Sequence, residues 1–413
     1  MIVKLNTAVM LIVLAFVFCG NGVKNDLNDE NWEYDWEWIV KPEEYEDCFF
    51  LNEDLIAVKK SNGKYGIIDS EKEFVFTQEY DAIGKYSEGI ACVQNDGKCF
   101  YINLNGEKIT DAVFQEVKCF QESKGPVKIN GKWGYINEEG RVIIACNFEE
   151  VHLFYEGMAA VKLKDKWGFI NSKGKDAVTC IYDEVRDFKE GCAAVRKGDK
   201  WGFIDKAGNI IAECEYSQVK DFSENAAAVM KNGKWGFINQ SGQTIIPLIY
   251  DDAGSFSEGK AAVKQNKYLE GYMDAWAYIN PKGEVVIDFY PYMAVEGRMP
   301  WVGEFHNGMA FVSDDFYGVI DEEGNWLFNG HESEFFLSSL VYDDAHDAIP
   351  AYTYTDSSMK DKKYGLVGID GKQRLEPVFD YVDGICGDYV WISNVINNQW
   401  KYGIIKLTMK QYN

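Results

Sequence analysis

Lys166-Trp167-Gly168-Phe169-Ile170-Asn171-Ser172-Lys173-Gly174 is the stretch that decides the fold, because the chain keeps returning to it. Its tetrad recurs as Trp201-Gly202-Phe203-Ile204 and Trp235-Gly236-Phe237-Ile238, and as the variant Trp133-Gly134-Tyr135-Ile136, at a step of 34 residues. A fixed period in this range marks a repeat architecture, in which no unit buries its own apolar face and each packs on its neighbours. Stacking also removes the ceiling of roughly 250–300 residues on a single core, which this 413-residue chain would otherwise exceed.

Working outward from the tetrad gives ten anchors: Tyr65, Cys99, Trp133, Trp167, Trp201, Trp235, Trp276, Tyr317, Tyr364 and Tyr402. The first six are 34 residues apart; the later intervals are 41, 41, 47 and 38, so the last units carry insertions. Each unit reads as short antiparallel strands. An apolar strand such as Ala159-Ala160-Val161 runs into a tight turn, which is Asn62-Gly63, Asn130-Gly131 or Asn232-Gly233 in sister units. Asn-Gly accommodates the positive φ of a two-residue hairpin; elsewhere Asp165 or Asp199 takes the second turn position. A second turn follows the tetrad, with Asn137, Asn171, Asp205 or Asn239 first and Gly140, Gly174, Gly208 or Gly242 fourth, which is type I chemistry. Within the tetrad, period two puts Trp and Phe on one face and Gly and Ile on the other. The tryptophans read as a buried ladder, since large aromatics bury roughly 150–250 Å² each, and the glycine as room for a neighbouring backbone. Carbohydrate stacking on the indoles is the competing reading.

These residues resemble the WG-repeat (KWG-repeat) family of bacterial exported and cell-surface proteins, over roughly residues 48–405 and most specifically over 131–242. The resemblance implies an all-β array without a settled activity, and no catalytic residues carry over. The expected fold is therefore all-β, with about ten tandem units in one continuous array. That array is an open solenoid or superhelix, or alternatively a propeller-like ring. Uneven late spacing fits the open form more easily, because closure asks for similar blades.

Three segments follow. Residues 1–22 read as an export signal, with Lys4 ahead of an apolar run from Ala8 to Phe18 too short to span a bilayer. Cys19 stands where a lipoprotein acceptor would, although Phe18 is large for that motif, and plain cleavage after Gly22 competes. Residues 23–47 read as an acidic tether or capping strand in which Trp32, Tyr34, Trp36 and Trp38 alternate with carboxylates. Residues 48–413 are the array, regular to about residue 270.

The net charge of −24 disfavours nucleic acid and anionic lipid, leaving a membrane link only through an N-terminal lipid anchor. The cysteines show no Cys-x-x-Cys pair. Cys146, Cys180 and Cys214 share one repeat phase and Cys119 falls where Leu153 does, which is the behaviour of apolar substitutes. A disulfide among Cys146, Cys180 and Cys214 is left open. With four scattered histidines, no metal site or cofactor is expected, and no nucleophile elbow or phosphate loop appears. The chain therefore reads as a non-enzymatic scaffold, secreted or envelope-anchored, that binds a protein or peptide. A glycan or cell-wall module using exposed aromatics is the alternative. Candidate contacts are Trp32, Trp36 and Trp38, and Tyr352 and Tyr354 of a late insertion, where alternation again puts both rings on one side.

Overall fold

Turn chemistry and alternation together build one motif ten times. The computed structural model describes residues 34–409 apart from 266–274, 289–300, 314–316, 331, 339–341, 344–346, 355–360, 387 and 398. In the unit around Trp167, strands Glu150–Val151, Met158–Leu163, Lys166–Asn171 and Asp176–Tyr182 lie side by side in chain order, all antiparallel. Lys164 and Asp165 turn the central hairpin at φ 51° and 61°, as Asn130 and Gly131 do at 51° and 77°. In the Gly198-Asp199 hairpin the positive φ falls on Gly198. Past the tetrad, Gly174 N–H donates to the Asn171 carbonyl at 2.8 Å, and the Asn171 side chain accepts from Lys173 and Lys175 N–H.

The tetrad glycine has a specific cause. Between Trp167 and Phe169 the fourth strand skips register, pairing Trp167 with Tyr182 but Phe169 with Val178. The slack bulges over Gly168, where a Cβ would lie 2.4 Å from the Val178 carbonyl oxygen. Gly134, Gly202, Gly236 and Gly365 meet the same obstacle at 2.3–2.6 Å, and backbone cannot move aside for a side chain.

We number the sheets as blades 1 to 10: residues 47–68, 82–103, 116–148, 150–182, 184–216, 218–250, 252–288, 301–328, 336–379, and 381–409 joined by 34–40. The Trp-Phe face of one blade packs on the Ile-Val face of the next. Trp167 and Phe169 of blade 4, for instance, share a cluster with Val185, Phe188, Val195 and Ile204 of blade 5. The second aromatic also meets the next blade's phenylalanine edge-on. Phe169–Phe188, Phe203–Phe222 and Tyr135–Phe154 have ring centroids 4.8–5.0 Å apart. Where tyrosine takes that position, its hydroxyl finds a carbonyl in the next blade, as Tyr135 does on His152 at 2.7 Å.

A second ladder runs along the turns after the first strands. Glu88, Glu122, Glu156, Glu190, Glu224 and Glu258 all hold φ between 51° and 54°, a conformation unfavourable for a residue with a Cβ. Each carboxylate accepts a backbone N–H from the turn of the following blade: Glu156 from Gly191 at 2.9 Å, Glu190 from Glu224 at 2.7 Å, Glu258 from Gly308 at 2.8 Å. Charge-assisted bonds of this kind offset the local strain.

The array closes. Strand Tyr34–Val40 pairs antiparallel with Gln399–Met409 as the fourth strand of blade 10, with Asp35 opposite Thr408 and Glu37 opposite Lys406. Each apolar cluster straddles a junction between successive blades, and one joins Ile39, Val40 and Ile404 of blade 10 to Phe50, Ile56, Val58 and Ile68 of blade 1. The molecule is thus a ten-bladed β-propeller, the ring rather than the solenoid of the two architectures that the repeat allowed. Residues 34–40 accordingly belong to the array; they neither tether it nor cap an open end. Uneven spacing does not prevent closure because the additional residues fall between strands while the four-strand blade is kept. The thiols of Cys146, Cys180 and Cys214 are free, each set against a carbonyl of its own blade (Val127, Val161, Val195).

Candidate binding surface at the ring closure

In a regular blade the row of residues opposite one another across the four strands is charged at one end and aromatic at the other. Blade 4 reads Glu150, Lys162, Trp167, Tyr182 and blade 5 reads Glu184, Arg196, Trp201, Tyr216. The charged pair is bridged, at 3.9 Å in blade 4 and 2.6 Å in blade 5. The indoles are covered: Trp133, Trp167 and Trp235 are no more than 9% exposed. Cationic side chains lie over them, with Lys118 5.0 Å from the Trp133 centroid and Arg186 4.9 Å from that of Trp201.

In blade 9 the same row reads Phe336, Tyr352, Tyr364, Phe379, aromatic throughout. Phe336 and Tyr352 stack at 5.2 Å with 20° between planes, Tyr354 closes on both at 5.6 and 5.8 Å, and Tyr364 meets Tyr352 at 5.2 Å. Tyr381 of blade 10 continues the contact to Tyr364 at 5.0 Å. Phe336, Tyr352, Tyr354, Tyr364 and Tyr381 are all half-buried, so their edges reach solvent. Lys362 lies 4.1 Å above Tyr352. Burial disfavours its charge, but the hydrogen bond that its ammonium donates to Tyr352 and the neighbouring phenols raise its pKa on balance.

The closing strand brings in the other candidates. Trp36 and Trp38 are half-buried and pack edge-on at 5.4 Å, and each meets Phe379 of blade 9, at 5.2 and 6.1 Å. Two aromatic pairs more than 300 residues apart in sequence thus lie on adjacent blades, Tyr352 and Tyr354 on blade 9 and Trp36 and Trp38 on blade 10, linked through Tyr364 and Phe379 of the all-aromatic row. Tyr34, on the same strand, is buried, and desolvation foremost pushes its pKa up to about 12. A buried ion pair holds the preceding insertion: Arg374 binds Asp347 and Asp370, and Tyr342 donates to Asp347 at 2.9 Å.

Sequence reasoning missed Phe336, Lys362 and Tyr381. Tyr364 was legible as an anchor, and Lys362 lies two positions before it, on the same face of the strand and opposite Tyr354; Phe336 needed the strand register. Cys19 and Trp32 lie outside the described residues. Among the described residues no group of three His, Cys, Asp or Glu is placed to hold a metal ion, and no helix is long and apolar enough to cross a membrane. A cleft of about 610 Å³ opens at blades 1 and 2, lined by Glu79, Asp96, Lys98, Glu107 and Lys108 around Phe100. Its lining interleaves these charges with Tyr80, Phe100 and Val113.

The architecture defines a repeat propeller, and the chain belongs to the family described as WG containing repeat. Seven copies of the family pattern match, at residues 37–65, 65–99, 100–133, 133–167, 167–201, 201–235 and 235–268, more than half of the chain. No curated protein matches the sequence. Among solved structures, a eukaryotic initiation factor is similar at 12% identity over 78% of this chain and 94% of its own, with a TM-score of 0.45. BamB from Moraxella catarrhalis is similar at 9% identity over 82% and 98%, TM-score 0.33. The C-terminal WD40 domain of Sif2 gives 8% identity over 92% and 100%, TM-score 0.35.

Proposed function

We propose that this propeller is a non-catalytic scaffold, exported by residues 1–22, that holds a protein or peptide partner on the aromatic band where the ring closes. The observation that carries the reading is the replacement of a salt-bridged row by Phe336, Tyr352 and Tyr364, with Trp36 and Trp38 beside them. Half-exposed aromatics supply large contact area at small entropic cost, which is why they dominate binding hot spots. Lys362 adds a cation at the rim, suited to an acidic or aromatic side chain of a partner. Secretion, or an envelope anchor through Cys19, would place the ring where such a partner is met.

A second reading has support in the same band: flat rings side by side suit the apolar face of a sugar, so a cell-wall glycan is the alternative ligand. Immobilised full chain and its Tyr352→Ser/Tyr354→Ser variant separate the two readings against envelope extract and purified peptidoglycan. The scaffold reading expects a protein retained by the native chain and lost from the variant. Peptidoglycan retention that free sugar competes away, with no such protein, would overturn it in favour of the glycan. Equal retention of every species by both chains would remove the band from either role.

A further inference from the structure

In blades 3, 4 and 5 the residue just after the first strand links its blade to the next. Lys118 of blade 3 donates to the Val151 carbonyl of blade 4 at 2.7 Å, His152 of blade 4 meets Asp187 of blade 5 at 2.8 Å, and Arg186 of blade 5 meets Asp221 of blade 6 at 3.2 Å. At the junction of blades 2 and 3 this position is Gly84, which has no side chain to offer. Its N–H still donates to the Cys92 carbonyl at 2.8 Å. The vacated space is filled by the Cys92 thiol itself: a Cβ on Gly84 would lie 2.5 Å from Cys92 Sγ.

From that space the Cys92 thiol hydrogen-bonds to Cys119, which occupies in blade 3 the position of Asp187 and Asp221 in blades 5 and 6. The polar link of the later junctions is thus replaced by a pair of facing thiols, both half-buried and both free. Cys119 had read as an apolar substitute, by analogy with Leu153; its partner across the junction was not visible from phase alone.

We propose that Cys92 and Cys119 form an inter-blade disulfide on exposure to a disulfide oxidant, locking blade 2 to blade 3. A disulfide bond is about 2.05 Å long, and it would join two thiols that already hydrogen-bond to each other across this junction. The hydrogen bond from Cys92 lowers the pKa of the Cys119 thiol, which makes Cys119 the readier nucleophile of the two. With oxidised glutathione, the Cys119 thiolate attacks one sulfur and expels a glutathione thiolate, giving a mixed disulfide. Cys92, losing its proton, then attacks the Cys119 sulfur and expels the second glutathione. Both leaving thiolates take up a proton. The balance is two protein thiols and one oxidised glutathione giving one protein disulfide and two reduced glutathiones.

The test uses the full chain incubated with oxidised glutathione, then denatured, alkylated with N-ethylmaleimide, digested and analysed by mass spectrometry. The expected result is one peptide pair linked through Cys92 and Cys119 and released by dithiothreitol, with Cys48, Cys99, Cys146, Cys180, Cys192 and Cys214 alkylated. In Cys92→Ser the link should vanish and Cys119 should carry a glutathione adduct. Oxidation should also raise the melting temperature of the native chain, an increase absent from Cys92→Ser and Cys119→Ser. Cys92 and Cys119 recovered as separate alkylated thiols, or as two separate glutathione adducts, would overturn the proposal.

Discussion

Blades 4 and 9 share one topology and differ in one row of residues, and the difference separates what builds the ring from what the ring displays. In blade 4, Glu150 and Lys162 form an ion pair beside a covered Trp167, so the row ends in water-compatible charge. In blade 9, Phe336 and Tyr352 take those two positions and Tyr364 stands for the indole. The strand pairing is unchanged, including the register skip before the fourth strand, where Tyr364 faces Phe379 but Leu366 faces Leu375. The backbone programme therefore does not need the charged pair: half-buried Phe336 and Tyr352 stand in its place, while Phe379 stays in the core as Tyr182 does.

The comparison breaks most severely at the glycine both blades keep. Gly168→Ala should cost about 1–3 kcal/mol, the range for forcing a methyl into packed backbone, because its Cβ would sit 2.4 Å from the Val178 carbonyl oxygen. Blade 7 supplies the control: Ala277 is paired directly with Asp288, without that skip. Ala277→Gly should therefore lose less than about 1 kcal/mol, the ordinary cost of glycine in a regular element. Denaturant midpoints of the two variants measure the contrast, and equal losses would show that the bulge does not impose the glycine.

Next in size is an exchange of rows. Phe336→Glu with Tyr352→Lys gives blade 9 the charged end of blade 4. Melting should move little, since a half-exposed ion pair is worth about 0–1 kcal/mol, whereas retention of the partner in the pull-down should be lost. A large drop in melting temperature would instead make the aromatic row structural.

Acid gives the smallest effect and touches the regular blades. Asp183 is held below the ordinary carboxylate range by Lys166 and the Gly198 N–H, Glu149 by the Asp165 N–H, and Asp81 by Lys64. Depressed carboxylates stabilise the fold above their unfolded values, 3.8 for Asp and 4.5 for Glu, and that contribution is lost as pH falls through the lower folded values. Melting should be flat from neutral pH down to about 5 and fall below about 4, with a shallower fall in Asp183→Asn.

Legibility in the sequence followed the range of the interaction. The hairpin at Asn130-Gly131, the turn at Asn171–Gly174 and the facing of Trp167 with Phe169 are set by residues within a few positions of each other, so phase alone exposed them. Closure was not legible, because Tyr34 opposite Met409 is a pairing between the two ends of the chain. The site was half legible. Alternation found Trp36, Trp38, Tyr352 and Tyr354, but only strand register and closure place them on adjacent blades. The carboxylate ladder from Glu88 to Glu258 also went unread, since a glutamate in a turn looks like any solvated charge until the next blade's N–H groups stand over it.

Closure carries the account, and a cross-link tests it most directly. Asp35 and Thr408 are opposite one another in antiparallel strands and both are exposed. Asp35→Cys with Thr408→Cys should form a disulfide under mild oxidation of dilute full-length protein, recovered as one intramolecular peptide pair. An open array would leave these two thiols apart and separately alkylated in monomeric protein, and that result would contradict both the ring and the aromatic junction built on it.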